Sequence, residues 1–275
     1  MELNFIHILL FLALGGIASF AAGMFGIGGG IIVIPGLTFI FSSMGFSNEQ
    51  SIRIAIATSM TNMIFVSFGS VIANHKLKLI IWKVFKLAIV PIILGTITGL
   101  FISNSISGTS LRKVFGVFIS LIALKMIYDS NNKQRNLHTF VKTDFNKVIF
   151  FISIVLIGII AGMLGLGAGF AIVPFLIYFC MPIKEATGTS SAISFIVSLT
   201  GTIFYLTNKS IGRIDSPYFI GYIFWVGILI MLPTALLFSN YGAKIKKKMH
   251  DKYLSIVFAV ILTVVAVKMI FPNIF

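Results

Sequence analysis

Long apolar runs separated by short polar or glycine-rich breaks recur along the chain, at about 5–24, 31–43, 54–73, 84–102 and 111–128. They recur again at about 148–164, 170–181, 187–207, 217–238 and 253–271. A helix of ~20 apolar residues rising 1.5 Å per residue crosses the hydrocarbon core of a bilayer, so the longer runs read as membrane-spanning helices. The shorter ones, 31–43 and 170–181, each contain a proline, Pro35 or Pro174. One stretch, 129–147, is clearly hydrophilic. The pattern predicts an all-α polytopic membrane protein: a first transmembrane repeat over 1–128, a linker over 129–147 and a second repeat over 148–275, each repeat holding about five helical elements.

The halves match in residues as well as in hydropathy. Ala22-Gly23-Met24-Phe25-Gly26-Ile27-Gly28-Gly29-Gly30 aligns with Ala161-Gly162-Met163-Leu164-Gly165-Leu166-Gly167-Ala168-Gly169, and Pro35 falls on Pro174. Thr58-Ser59 then matches Thr189-Ser190, and Lys125-Met126-Ile127-Tyr128 matches Lys268-Met269-Ile270-Phe271. Three matches in one order indicate an internal duplication, the first feature to establish in any chain.

Composition narrows the class further. Of 275 residues, 58% are hydrophobic and only 10% are charged, whereas a water-soluble domain carries about 25% charged residues to wet its surface. A disordered chain, a collagen, a nucleic-acid-binding globule and a separate soluble catalytic domain are all excluded. The 21 Lys+Arg against 7 Asp+Glu then read as orientation, because cytoplasmic loops of membrane proteins collect basic residues. Lys76, Lys78, Lys83, Lys86, Lys133, Arg135, Lys142, Lys147, Lys184, Lys244, Lys246, Lys247 and Lys248 fall on one side of the pattern. Arg53, Arg112, Lys113, Lys209 and Arg213 fall on the other. The first side is expected to be cytoplasmic, with linker 129–147 on it, both chain termini outside, and Cys180 toward the cytoplasmic end of its helix. This count holds if each glycine-broken pair is two crossings or a re-entrant hairpin, and fails if the pair is one crossing. Either surviving arrangement gives each half an odd number of crossings, so the halves are inverted, a plan common among secondary transporters.

Candidate chemistry is sparse. Glu2, Glu49, Asp129, Asp144, Glu185, Asp215 and Asp251 all lie in loops or at span ends, so none is placed as a mid-membrane proton relay. His7, His75, His138 and His250 lack ligand spacing, and Cys180 is the single cysteine, so no metal site or disulfide is expected. No nucleophile, base and orienting acid come together, and an enzyme is not expected; nor is a cofactor.

The glycine clusters carry the most information. Gly26, Gly28, Gly29 and Gly30, with Gly165, Gly167 and Gly169, interrupt apolar sequence where glycine is a poor helix former. Backbone outside a helix is tolerated at membrane depth only when buried in protein or lining a wet cavity. If each cluster opens a half-helix, two sets of free N–H groups face one another and hold a small anionic solute without a buried cation. Thr58, Ser59, Thr61 and Asn62, with Thr189, Ser190, Ser191 and Ser194, begin the next helix of each half and offer further donors. The alternatives are close helix packing through small residues for the glycines, as expected for Gly95-x-x-x-Gly99, and N-capping or helix–helix hydrogen bonding for the hydroxyls.

The duplicated Gly-Met-Phe-Gly-Ile-Gly-Gly-Gly (23–30) and Gly-Met-Leu-Gly-Leu-Gly-Ala-Gly (162–169), each followed by a proline, resemble the sulfite exporter TauE/SafE family, also called the four-toluene sulfonate uptake permease family. Lys184-Glu185-Ala186-Thr187-Gly188-Thr189-Ser190-Ser191 is similarly typical, while the first half has Ala57-Thr58-Ser59 in place of Gly-Thr-Ser. The resemblance covers nearly the whole chain. It implies a prokaryotic inner-membrane carrier of sulfur-containing anions such as sulfite, thiosulfate, sulfoacetate or sulfonates. The expected substrate-binding residues are Gly26, Gly28, Gly29, Gly30, Thr58, Ser59, Asn62, Gly165, Gly167, Gly169, Thr189 and Ser190. A passive anion channel and a membrane scaffold without flux are the competing readings.

Overall fold

The computed structural model describes residues 4–25, 29–108, 147–179, 181–208 and 214–248, together with scattered helical residues between 110 and 124 and between 260 and 267. Gly26 and Gly28 of the candidate site, Cys180, Lys125, Lys268 and nearly all of the linker lie outside the described residues. The first half supplies α1 (Phe5–Phe25), α2 (Gly30–Ser43), α3 (Asn48–Lys76) and α4 (Trp82–Ser105); the second supplies α5 (Lys147–Leu164), α6 (Gly169–Tyr178), α7 (Ile183–Thr207) and α8 (Trp225–Lys248). Among the described residues six helices are long and apolar enough to cross a membrane. With 14 residues in α2 and 10 in α6, these two reach only about 21 and 15 Å, short of a ~30 Å hydrocarbon core.

Two boundaries differ from the hydropathy reading. Helices α3 and α7 begin at Asn48 and Ile183 rather than near 54 and 187. A capping box starts α3: Gln50 N–H donates to Ser47 Oγ and Ser47 N–H donates to Gln50 Oε1, so the polar first turns are helical although they are not apolar. Thr58 and Ser59 therefore lie well inside their helix. The run near 217–238 is not one element either. Phe219–Ile220 and Ile223–Phe224 form a two-stranded antiparallel hairpin, β1–β2, turning at Gly221 with φ +65°, before α8 begins. Pro217 and this left-handed glycine keep the aromatic stretch out of the helix.

Contacts between helices fix the directions. Gly29 lies against Ala18, Gly36 against Leu14, and the rings of Phe41 and Phe11 are 6.2 Å apart, so α2 folds back along α1. Likewise Phe175 of α6 returns to Phe150 of α5, at 5.8 Å. Helices α1–α2 and α5–α6 thus form helical hairpins, one of the two arrangements that preserve the charge sidedness. Helices α3 and α7, equivalents in the two halves, run antiparallel: Asn74 meets Ser191, Phe68 meets Phe195, and Thr61 meets Thr202. The repeats are inverted, as the charge pattern predicts.

The fourth helix of each half packs with the opposite half. Gly15 lies on Met231 and Thr234, and Gly242 on Phe20 and Met24, so α8 runs parallel to α1. Gly95 lies on Val155 and Gly158, and Gly99 on Ile159, so α4 runs parallel to α5. Here Gly95-x-x-x-Gly99 serves packing, because a Cβ at either position would strike partner backbone. Two bundles result, α1–α2–α3–α8 and α5–α6–α7–α4, joined along α3 and α7. This arrangement brings the ends of α3 and α8 and the starts of α4, α5 and α7 to one face, which gathers Lys76, Lys83, Lys147, Lys184 and Lys244 and leaves Arg53 at the opposite end.

Candidate functional site

Helix α2 starts beside Met63, midway along α3, and the two short helices run in opposite directions, so their N-termini back onto each other. A side chain at Gly30 would place its first carbon 3.2 Å from the Gly165 carbonyl oxygen and 3.3 Å from the Gly167 nitrogen. The two glycine-rich breaks therefore touch, with Gly29, Gly30, Gly165, Gly167 and Gly169 all buried. Gly29 and Gly165 adopt φ +82° and +70°, a region in which a side chain is strained. Broken backbone inside an apolar protein is held here by contact between the repeats, as membrane burial demands.

Each half-helix brings roughly half a positive charge to its N-terminus, from peptide dipoles and unpaired N–H groups. Two such ends meeting amount to about one unit of positive charge without a cationic side chain. Neither helix has a side-chain bond from its own N-cap residue. Helix α6 is served from outside, by Ser194 Oγ accepting from Gly169 N–H at 3.2 Å.

The hydroxyl residues divide into two groups. Thr58 Oγ1 accepts the Phe224 N–H at 3.0 Å, and Thr189 Oγ1 accepts the Ile81 N–H at 2.9 Å. Phe224 and Ile81 immediately precede α8 and α4, the exchanged fourth helices, so each threonine satisfies a helix-start donor of the other repeat. This is a structural tie between the repeats. Gly188 lets the Leu79 backbone come close beside Thr189. At the corresponding Ala57 the methyl packs instead on Ile223 and Ile228, which accounts for the first half's departure from Gly-Thr-Ser. Ser190 Oγ donates to the Thr187 carbonyl at 3.0 Å.

Ser59 and Asn62 are different. Both are fully buried on α3, and Ser59 Oγ, Asn62 Nδ2 and Asn62 Oδ1 have no hydrogen-bond partner. Buried polar groups are almost always paired, so a carboxamide with neither end satisfied is an exception that makes Asn62 a candidate site residue. Sequence reasoning named these two but overlooked three further unpartnered hydroxyls, Ser19, Ser67 and Ser239; isolated serines in apolar helices give no local signal. Below them the rings of Phe11, Phe41, Phe46, Phe219 and Phe224 stack at 5.0–6.2 Å and close the end of the bundle remote from the lysines. Among the described residues no three His, Cys, Asp or Glu side chains form a metal-binding group.

Multiple apolar crossings, inverted repeats and two broken helices meeting tip to tip define a multi-pass membrane protein of the transporter class. Comparison with known proteins agrees. The profile of the family described as sulfite exporter TauE/SafE matches residues 11–269, and the chain belongs to that family. A probable membrane transporter protein of Methanocaldococcus jannaschii is 30% identical over 98% of this chain and 98% of its own length. Another from Haemophilus influenzae is 30% identical over 96% and 98%, and one from Bacillus subtilis 25% identical over 97% and 98%. No solved structure matches the chain.

Proposed function

We propose that the protein is a secondary transporter that moves a small sulfur-containing oxyanion, of the sulfite, thiosulfate, sulfoacetate or sulfonate type, across a prokaryotic inner membrane by alternating access. One observation carries this reading: the N-termini of α2 and α6 meet between inverted repeats, beside unpartnered Ser59 and Asn62. The main-chain amides of the two glycine segments supply the positive potential, and Ser59 and Asn62 supply neutral donors. Thr58 and Thr189 hold the fourth helices against this centre. The lysine-bearing face is cytoplasmic and the termini are outside, by the basic-residue rule. An anion bound this way is held without a fixed cation, so it is released when the repeats rock apart and water replaces the amides.

The test is uptake of sulfite, thiosulfate, sulfoacetate and a sulfonate into proteoliposomes, with carboxylates as controls. Saturable flux with exchange of internal for external anion is expected, and Gly167→Leu abolishes it while the protein still inserts. Non-saturating conduction would indicate a channel instead. Absence of both flux and binding for the whole panel would leave a scaffold and end the transporter reading.

A further inference from the structure

The two bundles are related by the duplication, yet their interiors are chemically unlike. Matched positions follow from Ala22 and Ala161 for the first helices, Thr58 and Thr189 for the third, and Phe224 and Ile81 for the fourth. Ser19 then corresponds to Gly158, Ser59 to Ser190, Asn62 to Ile193, Ser67 to Ser198 and Ser239 to Thr96. Every first-bundle member has an unpartnered polar side chain. Every second-bundle counterpart is satisfied or apolar. Ser190 Oγ donates to the Thr187 carbonyl, Ser198 Oγ to that of Phe195 at 2.9 Å, and Thr96 Oγ1 to that of Ile92 at 2.7 Å. Ile193 is buried, and Gly158 packs on Ile92 and Gly95. The helix tips differ too: Ser194 accepts from the first amide of α6, whereas the matching Met63 sets a thioether against Gly30 and caps nothing.

Four of the five unpartnered residues, Ser19, Ser59, Asn62 and Ser239, lie along one seam. Ala22, Val66 and Ala235 touch where α1, α3 and α8 meet. Ser19 is one turn before Ala22 on that face, Asn62 one turn before Val66, and Ser59 almost one turn further back. Ser239 is one turn beyond Ala235 and lies against Gly69, where a side-chain carbon would be 2.8 Å from its Oγ. The ten residue-to-residue steps from Ser59 to Gly69 on α3 represent about 15 Å at 1.5 Å each. The seam begins above the aromatic cluster, passes the open tip of α2, and points toward the lysine-bearing face.

We infer that the anion path is off the pseudosymmetry axis, running through the α1–α3–α8 bundle past Ser19, Ser59, Asn62 and Ser239, while the second bundle is its packed, dry counterpart. An oxyanion is the solute that fits, since hydroxyl and carboxamide donors stand beside the positive end of the α2 dipole, which disfavours a cation. This rests on the transporter reading for the identity of the solute, but the asymmetry can be tested without it.

The experiment places single cysteines in a Cys180→Ser background at Ser19, Asn62 and Ser239, and at their counterparts Gly158, Ile193 and Thr96, in full-length protein in liposomes. A small anionic thiol reagent should label the first three and leave the second three unlabelled. Sulfite-class anions, thiosulfate as the probe, should slow labelling at Asn62→Cys. Thr96→Cys and Ile193→Cys are mild in size, so correct insertion of both is the control if Gly158→Cys fails to fold. Equal labelling of the two sets would overturn the asymmetry even if flux is normal. Asymmetric labelling without flux of any anion would instead retain the wet seam and refute the transporter reading. Protection by sodium ions and not by anions would overturn the assignment of the seam to an oxyanion.

Discussion

Thr58→Val decides between two roles, substrate ligand or structural tie, for a residue expected from the sequence to bind substrate and seen to join the repeats. Valine keeps the volume and β-branching of threonine but removes the oxygen that accepts the Phe224 N–H at 3.0 Å. Both partners are buried, so the substitution leaves a backbone donor without an acceptor at the start of α8. The cost of an unsatisfied buried donor is about 1–3 kcal/mol. With a shift of about 2–4 °C per kcal/mol for a chain of this size class, the melting temperature in detergent should fall by roughly 2–12 °C. Thr189→Val removes the matching bond from Ile81 and should cost a similar amount. The two ties are at separate helix starts, so the double variant should be additive within about 0.5 kcal/mol. Thermal unfolding of the purified single and double variants measures this, with anion KM recorded in liposomes alongside. An unchanged melting temperature with a large rise in KM would refute the tie and make Thr58 a substrate ligand.

Other outcomes follow from the same geometry. Gly165→Ala should lower folded yield, since φ +70° is strained for alanine by about 1–2 kcal/mol and its Cβ would lie 2.5 Å from Ile56; size-exclusion profiles report this. Gly45→Ala meets nothing within 4 Å and incurs the backbone strain of φ +91° alone, so it should insert at near-normal yield. Gly99→Leu drives a side chain into the Ile159 carbonyl of α5 and should abolish a monodisperse fold, overpacking of even one methylene costing about 1–3 kcal/mol. Asn62→Leu should reduce flux severely without lowering the melting temperature, because the wild-type carboxamide has no bond to lose; a large drop in melting temperature would show it to be structural. Cysteines at Lys78 and Lys184 should be labelled by an impermeant reagent from one and the same side of the membrane, and one at Arg53 from the other.

Much of this architecture was legible in the order of residues. Runs of apolar side chains with few charges had to be membrane helices because unpaired backbone cannot face lipid, and the duplicated glycine–proline segments had to break them because glycine weakens a helix and leaves the backbone open. Opposed repeats followed from where the lysines could lie. The duplicated glycine segments were legible as breaks in the apolar pattern, and Gly30 does lie against Gly165 and Gly167. What the chain could not disclose is which neighbour each polar group meets. The acceptor role of Thr58 depends on Phe224, 166 residues away, and on a fourth helix that crosses to the other repeat. The serine pairs show the same limit. Ser59 and Ser190 are identical residues at matched places, yet one is satisfied by its own helix and the other is not. Hydropathy and duplication act through local sequence and are equal in both halves. The sequence itself sets Gly158 and Ile193 against Ser19 and Asn62; only packing decides that the latter two are buried without partners, because a hydrogen bond depends on the distance and direction between groups brought together by the fold.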